Sequence, residues 1–230
     1  MTNIDSLITS LADTAVPVRR LRPPLARASS WFIFAALVIL SLAVLKGLHH
    51  DLALRLARRE FIVELVASLV TSFGATLAAF YVSLPDRSPF WALLPVPGLV
   101  LWAFAMGFGC YADWIRLGPS GFILGTSFEC LAFIVLSTVP LSAALLYLLR
   151  HAVAVRPIST TILATLSVAA LAGAGQSLTH HSDTTLMILV WHAGTTGLLL
   201  AIARLLGPQF LRKVVSRPAP AATSLRTALK

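Results

Sequence analysis

Of the 230 residues, 57% are hydrophobic and 12% are charged, with a mean hydropathy of +0.85. An ordinary soluble domain carries about 25% charge, so this balance excludes a water-soluble globular fold. The net charge of +9 is what cytoplasmic loops leave on a membrane protein, and no nucleic-acid role is read into it.

Residues 3–16 come first. Ile4, Leu7, Ile8 and Leu11 fall at i, i+3, i+4 and i+7, one stripe of a helix. Asn3 can cap its start and Pro17 ends it. Its polar face carries Asp5 and Asp13 and no Lys or Arg, so anionic lipid suits it poorly and a groove on a partner protein suits it better. Arg19, Arg20 and Arg22 follow in a segment stiffened by Pro23 and Pro24, fit to position the arm against headgroups or acidic protein.

Six stretches then have the length and apolarity to cross a bilayer: 31–45, 61–82, 91–109, 122–149, 158–178 and 186–206. The first is short unless Ser30 and residues 46–49 extend it into the headgroups. The expected architecture is therefore all-α, a polytopic bundle of six transmembrane helices (31–207). A cytoplasmic segment (1–30) precedes it and a basic cytoplasmic tail (208–230) follows. No room remains for a soluble catalytic domain, and no enzyme is expected.

The Lys and Arg distribution sets the orientation. With both termini inside, only Lys46, Arg55, Arg58, Arg59 and Arg116 of the 18 Lys and Arg fall outside. The basic loop 46–60 must then be external, where Leu52, Leu54, Leu56, Ala57 and Phe61 permit a short surface helix. Trp31, Trp91 and Trp114 fit an interfacial belt, and Pro95, Pro97 and Pro140 fall inside spans, where a proline bends the helix. Gly121, Gly125, Gly173 and Gly175 offer small-residue packing faces.

Ionisable groups gather in the outer part of this bundle: Glu64, Cys110, Glu129, Cys130, His180, His181 and His192. Thiolate and imidazole bind zinc, copper and related metals, and an outward thiol meets oxidants first. Each has a plainer reading. Cys110 can be a small hydrophobe, His180 and His181 solvated loop residues, His192 a core residue beside Trp191, and Glu64 a partner of Arg58 or Arg59. The equal depth of Cys110 and Cys130 leaves a disulfide open. No resident cofactor is expected; a transient signal metal such as zinc, copper or cadmium is compatible with the side chains.

Several stretches read together: Ile4-Asp5-Ser6-Leu7-Ile8, then Pro17-Val18-Arg19-Arg20-Leu21-Arg22-Pro23-Pro24 and Arg87-Ser88, then Cys130 with Pro140-Leu141 and Arg150, and Trp191-His192 with Leu206-Gly207-Pro208. Through them the chain resembles the NrsF-type anti-sigma factors, six-helix bacterial inner-membrane proteins. The resemblance implies that the N-terminal segment holds an extracytoplasmic-function sigma factor at the membrane. It also implies that a periplasmic metal or oxidant releases that factor through two cysteines. Cys130 matches one. The other is expected between the fifth and sixth spans, where this chain has His180 in its place. That departure leaves a metal site of Cys130 with His180 and His181, or Cys110 as substitute thiol, or a member without sensing. The rival class is a small membrane redox protein or transporter. It is weakened because only His192 lies clearly within a span, no Cys-x-x-Cys occurs and no charge sits near a midplane. Whether two copies associate is left open.

Overall fold

The structure is a computed structural model that describes residues 4–13, 22–47, 52–118, 128–150, 156–179, 194–202, 204–205 and 209. Among them every regular element is helical. Seven α-helices are defined: α1 Ile4–Asp13, α2 Pro24–Lys46, α3 Leu52–Leu56, α4 Arg59–Val82, α5 Val96–Leu117, α6 Phe128–Leu149 and α7 Pro157–Thr179. A 3-10 turn, Pro89–Leu93, precedes α5, and residues 194–202 are helical as well. Five segments are long and apolar enough to cross a membrane: Pro24–Lys46, Arg59–Val82, Pro89–Ala112, Ala132–Leu149 and Pro157–Thr179. The sixth expected span lies partly outside the described residues.

Local chemistry sets the helix ends. Pro24 opens α2 as a first-turn proline, where its fixed φ suits a helix and its missing N–H is not needed. The first span therefore starts seven residues before Trp31 and runs through Ser30 to Lys46; residues 48 and 49 of the expected extension lie outside the described residues. Gly47 closes α2 at φ 85°, a left-handed value that L residues rarely adopt. Short α3 sits on the 46–60 loop, where the leucine pattern predicts a surface helix. Pro95 and Pro97 occupy the N-cap and first turn of α5, not a helix interior. The chain first makes the 3-10 turn, capped by Ser88 Oγ accepting from Phe90 N at 3.3 Å, so these prolines begin a helix rather than bend one. Pro140 does lie inside α6.

Helices α4 and α7 form an antiparallel central pair. α5 packs on α4, α6 packs on α7, and α2 lies against α6, α4 and α7. The α4–α7 seam is polar. Ser72 Oγ donates to Ser167 O (2.9 Å), Ser167 Oγ donates to Ser72 O (3.0 Å), and the Thr76 and Ser167 hydroxyls bond at 2.5 Å. Between apolar helices in lipid, such bonds and small residues hold the pair. Gly98 of α5 meets α4 so closely that a Cβ there would lie 2.9 Å from Thr71 N. Gly175 is equally tight, its Cβ position 2.9 Å from Ile39 and 3.2 Å from Phe133, as the small-residue face around Gly173 anticipates.

The main apolar core gathers Trp31, Phe80, Leu141, Leu145 and Leu149 at the end of the bundle where α2 and α7 begin. Trp31 is fully buried there and its Nε1 donates to Leu141 O at 3.3 Å. It is a core residue, not a belt residue, because α2 starts earlier and carries it inward. Trp91 and Trp114 remain at least one-third exposed.

Candidate functional site

Three regions carry the chemistry. The first is α1. Its apolar stripe is presented to solvent: Ile4 is 71% and Ile8 59% exposed. Leu7 and Leu11 lie on the same stripe of the helix, and their side chains fall outside the described residues, as do Arg19 and Arg20. Arg22 is exposed just before Pro23 and Pro24. A helix ten residues long gains its stability from burying a face rather than from propensity, so exposed Ile4 and Ile8 are side chains that a partner surface would cover.

The second region is the end of the bundle where α2 begins. Arg27, one turn into α2, is buried. Its guanidinium lies 4.6 Å from the Phe80 ring centre of α4, and its Nη2 donates to Leu148 O of α6. Leu148 belongs to the last turn of α6, whose carbonyls have no intrahelical partner. Arg27 thus caps a neighbouring helix, and its charge sits at the negative end of that helix's dipole. Three more arginines lie at this end. Arg87 is 5.7 Å from the Tyr81 ring centre, and Arg150 is 3.8 Å from that of Tyr147. Arg156 Nη1 donates to Arg87 O at 3.0 Å. The sequence shows all four as cytoplasmic charge, with Arg87 and Arg150 also in stretches that carry the family resemblance, but not these contacts. Pro24 at a first-turn position was the signal that Arg27 belongs to a helix.

The third region is the opposite end, where the sensing residues were expected. Cys110 is half-buried on α5 and carries a free thiol. Cys130 lies in the first turn of α6; its side chain, with Glu129, is outside the described residues, and so are His180, His181 and His192. No group of three or more His, Cys, Asp or Glu able to hold a metal is gathered among the described residues. One turn beyond Cys130, Phe133 packs near Gly175 and lies 5.9 Å from Lys46 Nζ. Gln176 is buried beside that contact, its Oε1 without a hydrogen bond among the described residues. Glu64 is half-buried in the second turn of α4.

A multi-pass helical membrane protein with an uncovered amphipathic helix ahead of its first span is the class these features define. The model of the NrsF family, negative regulator of sigma F, matches residues 11–212, and the chain belongs to this family. The family's name makes its members negative regulators of a sigma factor and implies contact with one. The match includes Arg19, Arg20, Arg22 and Cys130; it begins at Leu11, leaving Ile4, Leu7 and Ile8 ahead of it. No curated protein and no solved structure matches the chain.

Proposed function

We propose that this chain is a membrane-embedded anti-sigma factor of the bacterial inner membrane, with six spans and both termini in the cytoplasm. It sequesters an extracytoplasmic-function sigma factor, performs no catalysis and keeps no resident cofactor. The exposed apolar stripe of α1, read with the family membership, carries this reading. Ile4, Leu7, Ile8 and Leu11 fill a groove on the sigma factor, and Arg19, Arg20 and Arg22 set its approach.

Release follows from a periplasmic metal or oxidant at Cys130, with His180 or His181 as neighbouring ligand and Cys110 and His192 nearby in depth. The path is α6. Cys130 is in its first turn, and its last turn receives Arg27 from α2, the helix that continues the N-terminal arm. A shift of α6 therefore moves the root of the arm. A tenfold loss of sigma affinity requires the two bundle states to differ by ~1.4 kcal/mol in binding.

The test is capture of the sigma factor by the full-length protein in detergent. Wild type retains it, and the Ile4→Asp, Ile8→Asp variant loses at least about tenfold, since a carboxylate in an apolar groove is unpaired. Failure of the wild type to capture any such sigma factor, with full sigma activity in cells holding the intact protein, refutes the reading. For the sensing half, Cys130→Ser should abolish induction by metals and oxidants; unchanged induction removes Cys130 from the path.

A further inference from the structure

At the arginine-rich end, the α4–α5 connection meets the start of α7. Arg156 Nη1 holds the carbonyl of Arg87 at 3.0 Å, which brings a second arginine to the first one's backbone. The Arg87 side chain is half exposed and rests against Tyr81, whose ring stacks on Trp91 at 4.4 Å and 19°. The connection carries one acid, Asp86, 3.7 Å from Arg87 Nε and 70% exposed, so one positive charge of the pair remains uncompensated by it. Directly after Arg156, α7 begins at Pro157. Pro157 has no N–H and Thr160 N donates to Arg156 O at 3.1 Å, which leaves the N–H groups of Ile158 and Ser159 without an intrahelical acceptor, and the helix dipole presents positive charge there. Beside these cations the 3-10 turn exposes Phe90 at 77% and Leu93 at 59%.

Cations with forked donors, a helix start and exposed apolar side chains next to them fit a ligand that is anionic at one end and hydrocarbon at the other. We propose that this junction binds the phosphate of an anionic phospholipid, with Arg87 and Arg156 on the headgroup and Phe90 and Leu93 among the acyl chains. Free phosphate would satisfy the arginines and leave the apolar side chains without purpose. The Tyr81–Trp91 pair places the site at interfacial depth, where aromatic rings settle. The proposal is independent of sigma-factor binding and of which compartment this end faces.

The test uses the full-length protein in nanodiscs of phosphatidylcholine with increasing cardiolipin or phosphatidylglycerol, with retained lipid counted by native mass spectrometry. Wild type should retain anionic over zwitterionic lipid. Each basic residue at the surface contributes about 1 kcal/mol, so Arg87→Gln with Arg156→Gln should lower that preference roughly 30-fold. Arg87→Lys with Arg156→Lys keeps both charges and should hold most of the preference, which separates loss of the site from loss of the fold. Excess inorganic phosphate should not displace the lipid. Equal retention by wild type and the Gln pair overturns the proposal. So does full displacement by inorganic phosphate, or an effect of the Gln pair on sigma-factor capture with none on lipid.

Discussion

Arg27 shows how one side chain joins three helices. It stands on α2, lies over Phe80 of α4 and bonds Leu148 O of α6. A desolvated cation–π contact is worth about 2 kcal/mol and a hydrogen bond from a charged donor about 1.5–3; burial of the charge offsets part of both. Arg27→Gln should therefore cost about 2 kcal/mol, seen as a lower Tm in detergent. Arg27→Lys should recover only part, because an ammonium lacks the planar fork that reaches ring and carbonyl together. The sequence displays this arginine among basic, proline-rich neighbours, where it reads as a linker charge. Nothing local says that Phe80, 53 residues on, supplies its ring. Trp31 misleads for the same reason: position along the chain suggests an interface, and only the packed neighbours make it core.

At the scale of elements, the spans were legible because hydrocarbon demands long apolar runs and closed backbone hydrogen bonds. Their partners were not, because polar seams hide inside windows that average as apolar. Ser72, Thr76 and Ser167 illustrate this: each is a small residue in a hydrophobic run, and together they bind α4 to α7. Ser167→Ala should cost about 0.6–1.7 kcal/mol by analogy with other interhelical hydrogen bonds in membranes, measurable by reversible unfolding in mixed micelles. Gly98→Val should cost about 1–3 kcal/mol, since its new carbons meet Thr71 backbone that cannot yield. Cross-linking between α4 and α5 should weaken in parallel. Pro95 and Pro97 teach the complementary lesson. Hydropathy ran the third span through them, while their missing N–H groups suit a helix start and set α5 behind the 3-10 turn.

For the whole molecule, the two ends differ in kind. One collects Arg27, Arg87, Arg150 and Arg156 against aromatic rings; the other holds Lys46, Glu64, Cys110 and the first turn of α6. Between them, Leu37, Leu40, Val44, Phe104 and Phe108 face outward, as lipid contact requires. Ile8 is 59% exposed, so Ile8→Asp should leave the melting temperature of the bundle unchanged while sigma-factor capture falls. A drop in both would make the α1 stripe a structural contact instead. A reporter joined ahead of Met1 should be active only in the cytoplasm; a periplasmic signal would exclude the proposed relay.

The most enclosed helix, α7, is also the last of the five spans to leave the ribosome. Until it inserts, α4 has Ser72 and Thr76 turned toward lipid, and α6 has only α2 beside it. Early helices must therefore wait in the bilayer as loose companions, and assembly is set by the arrival of a late segment. Nascent chains halted after Arg150 should be cleared by membrane proteases, whereas chains halted past Thr179 should already be protected.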